Sequence, residues 1–460
     1  MMEQTQRIGQ LVENLLNRDE AIRISARDEL VTFGQDAVEP IVSMLRDAEM
    51  KGFNHHGEGV QALIQIGEPA IEPLIAALED GYGFFEADLT WALDGIGDLR
   101  AIPAFIKVLA RPFRDSEVEK FLKKMGEPAL AALQAAVHNA EAYDAFGRGA
   151  IAKALFYFCD NPTVIDMLLG LLQDEIPEIR GGAAYVLGKH KELKAFIPLV
   201  RLLCDPDEYV RHSAAQGLEK IADIRAIPYL IESIKDESDK VRQASAHALC
   251  EFADFRAFDS FVVGLADSNE DVRFWCAVGL GKMPDIRAFE ALRNAFDDEV
   301  WRVRTTAACA VRKMEDGRLT DRLIEALREE NWRVRESAIT ALSGYQDSRI
   351  VALFLQTLND SSWKVRKIAA QRLGEMNAYD VVDILAGHLQ DSHEAVRQAV
   401  AEALGKIGNI KAVPFLIDSL NKFSECEGRD VVKALDKLGT VEALAAVEQW
   451  ELAHPKVKRK

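Results

Sequence analysis

Eight arginines stand 31 residues apart without a slip: Arg180, Arg211, Arg242, Arg273, Arg304, Arg335, Arg366 and Arg397. An acid precedes each by six positions: Asp174, Asp205, Asp236, Asp267, Asp298, Glu329, Asp360 and Asp391. Three positions after each arginine comes a mostly small residue (Ala183, Ala214, Ser245, Cys276, Ala307, Ala338, Ala369, Val400), and seven after comes an apolar one (Leu187, Leu218, Leu249, Leu280, Val311, Leu342, Leu373, Leu404). So long a register excludes an ordinary compact domain. Each unit is a small supersecondary element that cannot bury its own apolar face, so it must stack on its neighbours.

Within a unit the pattern reads as two helices. The first is like "AIPYLIESI" (226–234), with proline near its start, where a missing N–H costs little. A short acidic turn follows. The second is like "VRQASAHALCEF" (241–252), with small residues at +3 from the arginine frame and larger apolar ones at +7 and +10. The frame extends backwards less regularly. "IRISARDELVTFG" (22–34) matches through Arg23 and "GRGAIAKALFYF" (147–158) through Arg148, while three stretches between them put His56, Glu86 and Asp115 at the arginine position. At the far end "EGRDVVKALDKLG" (427–439) keeps the register, and 441–452 reads as a capping helix. The expectation is an all-α chain of about fourteen helical pairs. It divides into divergent repeats over 1–165, regular repeats over 166–426, and a capping repeat with a basic tail over 427–460.

The Asp-six-Arg spacing and the Val-Arg-x-x-Ala-Ala-x-x-Leu helix resemble HEAT repeats, in the short variety called phycobilisome-lyase HEAT-like repeats. The likeness is specific over about 166–420 and looser over 1–165. It implies an armadillo-type, right-handed α-α superhelix, a HEAT-like solenoid whose second helices line the inner, concave surface. It also implies that aspartate and arginine link successive repeats through hydrogen-bonded ion pairs, a role that falls on Asp205 and Arg211, Asp236 and Arg242, and their equivalents. The physics agrees, because a charge half-buried between stacked helices needs a partner. The arginine row is therefore structural, although it looks like a basic stripe.

Composition narrows the function classes. A formal net charge of −18 and a sequence pI near 5.1 work against a phosphate backbone, so no nucleic-acid partner is expected. The closing "HPKVKRK" is read as a solvated tail. No apolar run reaches the length of a membrane span, and the N-terminus lacks the uninterrupted apolar core of a signal peptide. The six cysteines (Cys159, Cys204, Cys250, Cys276, Cys309, Cys426) form no CxxC pair and read as reduced, mostly buried thiols of a cytoplasmic protein.

Against this background one phrase recurs: "DEVWRVR" (298–304), "EENWRVR" (329–335) and "DSSWKVR" (360–366). The tryptophans lie at −3 in the frame. At about 100° per residue, positions −3, +1 and +5 point about 150° away from the core positions. The stripes are Trp301, Thr305, Cys309; Trp332, Glu336, Thr340; and Trp363, Lys367, Gln371. Other repeats place Pro177, Glu208, Asp239, Glu270 and Glu394 at −3, so the fold does not require a large apolar group there. Arg302, Arg333 and Lys364 follow the tryptophans, and Phe274 extends the patch into the preceding repeat. Tryptophan beside arginine is the composition of a binding hot spot. The competing explanation is that these rings stack on one another or cover the turns.

Chemistry leaves fewer traces. His212 and His247 lack an acidic companion. His55, His56, Glu58, Glu86, Asp88, Asp115, Glu117 and Glu119 gather near helix starts, where the dipole already favours carboxylates. Deoxyhypusine hydroxylase, an enzyme with HEAT-like repeats, holds its di-iron through His-Glu dyads just after the arginine position. Here that place holds His212-Ser213, and His393-Glu394 precedes Arg397. No glycine-rich phosphate loop, zinc pattern or nucleophile elbow is present. The expected function is a non-catalytic scaffold or adaptor with a protein partner, without cofactor or metal. The alternatives are a bilin-lyase-like enzyme or enzyme subunit and, after it, a metal-dependent enzyme using the 55–119 cluster.

Overall fold

The computed structural model describes residues 2–50, 57–80, 85–111, 117–314, 316, 318–345, 347–376, 379–420, 422 and 425–454. Among them are twenty-nine α-helices, eleven short 3-10 turns and no strand. The chain divides into two compact units, Met1–Tyr229 and Leu230–Lys460, each a stack of helical pairs. No helix among the described residues is long and apolar enough to cross a membrane.

The stretch from Asp254 shows how one repeat forms. Asp254 accepts hydrogen bonds from the backbone N–H of Arg256 (2.9 Å) and from its guanidinium (2.9 Å), starting the 3-10 turn Phe255–Ala257. Helix Phe258–Gly264 follows and buries Phe258 and Phe261. Asp267 then accepts from the N–H of Asn269 (2.8 Å), and Asn269 caps the second helix, Glu270–Lys282, by accepting from Asp271 and Val272. Each acceptor satisfies an N–H that a helix start leaves open. The opening cap recurs with Asp98, Asp223, Asp285 and Asp347. Because of it the first helix at 226–234 spans only Ile227–Ser233, after the 3-10 turn Ile224–Ala226, and its partner spans Asp239–Phe252.

The core lies where the frame puts it. Cys276, Leu280, Ala307, Val311, Ala338, Leu342, Ala369 and Leu373 are all fully buried. Each larger side chain so buried contributes about 1.5–3 kcal/mol of transfer free energy. Successive second helices also approach closely at the far end. A Cβ on Gly374 would lie 2.7 Å from the Cα of Ala403, so this crossing admits no side chain. Close stacking narrows the outward face too: Thr340, expected to point out, is buried and donates to the Glu336 carbonyl (3.1 Å).

The arginine row is a ladder, with a pairing different from the nearest-in-sequence one. Arg273 donates through Nε and Nη2 to both carboxylate oxygens of Asp298 (2.6 and 3.1 Å), the aspartate of the following repeat. Its Nη1 donates to the backbone carbonyls of Asp267 and Ser268 (3.0 and 3.1 Å). Arg180 makes the same fork on Asp205, Arg242 on Asp267, Arg335 on Asp360 and Arg366 on Asp391. Asp205 thus gives Arg211 its carbonyl (2.9 Å) and Arg180 its carboxylate. An Asx turn explains the geometry. The aspartate carboxylate caps the N–H two residues on, which aims its remaining lone pairs at the previous repeat.

In the N-terminal unit the rule is kept with variations. Arg23 donates to the carbonyls of Asn17 and Arg18 (2.9 and 3.0 Å), as the frame requires. Arg148 instead donates to the Val137 carbonyl (2.6 Å). Glu86, which stands at an arginine position, is only 7 % exposed and pairs with Arg111, 25 residues ahead, at 2.6 Å. That rung has the separation of the others and the opposite polarity. At the other end, helix Val441–Ala453 covers helix Glu425–Leu438, with the Trp450 ring against Gly428.

Candidate functional site

Trp301, Trp332 and Trp363 each open a second helix: Trp301–Arg312, Trp332–Leu342 and Trp363–Glu375. The residue before each is extended (Val300, Asn331 and Ser362, ψ 118°, 118° and 122°), so the indole emerges where chain direction turns into the helix. Their surroundings differ. Trp301 is 64 % exposed. Trp332 is half-buried, with the Lys364 ammonium 3.9 Å from its ring centroid and the guanidiniums of Arg333 and Arg304 at 5.5 and 5.6 Å. Trp363 lies flat on His393 of the following turn, ring centroids 4.0 Å apart and 9° from parallel.

The cations are engaged in the same way. Arg302 lies 4.3 Å over Phe274 and 3.6 Å from Asp271, so Phe274 is covered, while Thr305 is exposed beside it. A cation one place after the tryptophan position therefore covers an aromatic of the repeat before: Arg302 on Phe274, Lys364 on Trp332. Each contact is worth about 0.5–2 kcal/mol, depending on desolvation. This stacking accounts for part of the Trp-cation recurrence.

Between the second and third tryptophans the face opens into a pocket of about 250 Å³, lined by Arg304, Trp332, Glu336, Trp363, Lys364 and Lys367 among others. Five of these come from the predicted patch. Trp301, Arg302, Thr305, Phe274 and Arg333 lie outside its lining. Arg304, a member of the structural row, departs from the five closed rungs described above. It is 8 % exposed, and its Nη1 donates to the carbonyls of Asp298 and Glu299 (2.8 and 3.0 Å), as the closed rungs do to theirs. The following repeat, however, has Glu329 where the others have aspartate, and that carboxylate pairs with Arg293. Among the described residues no carboxylate lies within ion-pair distance of Arg304. The signal was in the sequence, since Glu329 is the one glutamate among the eight acids.

Burial holds the Arg304 guanidinium below its ordinary pKa, with Glu336 pulling the other way. It also pushes the Glu336 carboxyl up, against the pull of Arg304, Lys364 and Lys367. Three cations and two indoles thus face one carboxylate. Such a pocket is suited to an anionic group carried on an apolar stem.

The described members of the other candidate clusters are engaged elsewhere. Glu58 pairs with Arg27 (2.8 Å), Glu86 with Arg111, and Glu117 with Lys120 (2.7 Å). His55, His56 and Asp115 lie outside the described residues. His247 packs on the Trp275 ring at 4.2 Å, and His393 caps helix Glu394–Ile407 through Nδ1. Among the described residues no three His, Cys, Asp or Glu side chains converge as a metal site requires. Burial pushes the Cys159 thiol up to about 12 and raises Cys276 further. The Cys426 side chain falls outside the described residues.

A sequence model of HEAT repeats matches residues 143–219, 191–250, 227–312, 258–343 and 350–425, and a model of the PBS lyase HEAT-like repeat matches 57–80. No curated protein matches the sequence. Among solved structures, yeast importin-β (Kap95p) is 15 % identical and covers 98 % of this chain and 64 % of its own, with a TM-score of 0.57. Kap95p in a structure with RanGDP is 14 % identical, covers 98 % of this chain and 63 % of its own, and has a TM-score of 0.58. The chain thus spans less than two thirds of those relatives, and at such identities the likeness is one of fold. The CpcE–CpcF complex of phycocyanin lyase from Nostoc is 18 % identical over 60 % of this chain and 94 % of its own. Its TM-score of 0.31 supports no inference about a shared site.

Proposed function

This chain belongs to the HEAT-repeat family, and from that premise we propose that it is a non-catalytic scaffold or adaptor, holding a protein partner on the second-helix face between Trp301 and Lys367. The observation that carries the reading is the pocket between Trp332 and Trp363, where successive repeats put aromatic walls and three cations around one open space. A repeat stack offers such side chains in an extended row, which suits a peptide segment or a helix better than a small metabolite. Exposed Trp301 extends the row beyond the pocket. The fold supports the same class of activity, in that Kap95p binds the protein RanGDP. Cysteines that are free, including the buried Cys159, Cys250 and Cys276, fit a reducing compartment, for which we take the cytoplasm.

The test is comparative capture. Parent protein, the triple variant W301A/W332A/W363A, and the control E208A/D239A/E270A at the same frame position are used as bait, and captured proteins are identified by mass spectrometry. The tryptophan variant is expected to lose partners that the parent and the acidic control both keep, with single changes each costing about 1–3 kcal/mol of binding. Equal capture by all three baits would place the docking surface elsewhere.

A further inference from the structure

In the closed rungs an arginine is held from behind by two carbonyls and from ahead by a bidentate carboxylate. Arg304 keeps the first half of that arrangement. Its Nη1 is fixed to the carbonyls of Asp298 and Glu299, so the guanidinium is oriented as in a closed rung while Nε and Nη2 meet no carboxylate among the described residues. The acids nearby are otherwise engaged. Asp298 gives its carboxylate to Arg273, Asp297 accepts from Asn331, and Glu329 pairs with Arg293. Glu336 faces the pocket from helix Trp332–Leu342, opposite Lys364 and Lys367, and leaves it net cationic on a chain whose formal charge is −18. A nine-tenths-buried cation with a vacant donor pair, opening into a pocket with two indole walls, is a receptor for a planar two-oxygen anion.

We propose that a docked polypeptide segment completes this rung in trans, an aspartate or glutamate side chain supplying Arg304 with the carboxylate that Glu329 does not deliver, while Trp332 and Trp363 flank its stem and Lys364 and Lys367 meet neighbouring acids. The inference rests on this face being the docking surface and names the chemistry of what docks there: an acidic segment. Its logic is that the same fork binds carboxylates within the protein at Asp298, Asp360 and Asp391.

The experiment titrates the full chain with acetylated hexaglutamate, with hexaglutamine and inorganic phosphate as controls, following tryptophan fluorescence and melting temperature. Hexaglutamate is expected to change the emission saturably and raise Tm, as any ligand of the native state does, and hexaglutamine to do neither. The informative variant is Glu329→Asp, which supplies the rung from within. It should melt higher than the parent when free and bind hexaglutamate about tenfold more weakly. Arg304→Lys keeps the charge, loses the fork, and should weaken binding comparably. The proposal is overturned if the parent does not bind hexaglutamate, if Glu329→Asp or Arg304→Lys binds it like the parent, or if phosphate binds as tightly. Should hexaglutamate fail while the tryptophan variant still loses captured partners, this inference falls and the docking reading survives. Should the tryptophan variant capture like the parent, the docking reading itself falls.

Discussion

At Arg335 the guanidinium is shared between two carbonyls behind it (2.8 and 2.7 Å) and both oxygens of Asp360 ahead of it (2.8 Å each). One repeat earlier Arg304 has the same two carbonyl contacts, a similar burial and an open front. The difference is one methylene in the neighbour. Aspartate at this place turns its carboxylate back onto the N–H two residues on, as Asp360 does with Ser362 (2.8 Å), and so presents it to the previous repeat. Glutamate is too long for that turn, and Glu329 ends at Arg293 instead. The stack tolerates an open rung because apolar burial at +3 and +7 is continuous through it, and an incomplete charge ladder then becomes available to a ligand.

The comparison breaks most visibly under mutation to alanine. Arg335→Ala strands the part-buried Asp360 carboxylate as well as two carbonyl acceptors and should cost roughly 1–4 kcal/mol, whereas Arg304→Ala releases the carbonyls of Asp298 and Glu299 but no forked carboxylate and should cost about 1 kcal/mol. Urea denaturation of both variants reads the difference. Equal losses would mean that Arg304 is closed by a partner group after all.

Acid sharpens the same contrast at a closed rung. Burial alone would raise the Asp391 carboxyl, but the hydrogen bonds from Arg366 and the His393 N–H outweigh it and hold it below its ordinary value. A carboxyl depressed in the folded state adds stability above its unfolded pKa of about 3.9, and that contribution is lost as pH falls through the folded value. Between about pH 5 and pH 2 the parent should therefore lose more stability than Arg366→Ala, which has no such rung to lose. Parallel acid-denaturation curves would contradict this.

The smallest effects separate the tryptophans. Trp301→Ala should change stability by less than about 0.5 kcal/mol, as an exposed position does. Trp332→Ala removes the ring beneath Lys364 and should cost about 1 kcal/mol. If Trp301 proves the costlier of the two, its exposure in the free chain is not its working environment.

Much of this was legible in the sequence. The 31-residue register determined an all-helical stack, the +3 and +7 positions determined its core, and departures from the register marked where to look for function, since the −3 tryptophans and Glu329 are both exceptions to it. Periodicity reports which residues share a face because a helix advances by a fixed angle per residue. It does not report distance across repeats, and that is where tertiary structure decided the outcome. Only stacking could show that each arginine pairs with the next repeat's aspartate and not its own, or that Glu86 and Arg111 form a rung of opposite polarity. Only stacking brings Lys364 onto Trp332 and His393 onto Trp363 while Glu329 turns to Arg293 and away from Arg304. Contacts between residues 25 to 32 apart depend on how far a side chain reaches between neighbouring helices. One methylene added at Glu329 changes that reach and leaves the 31-residue pattern intact.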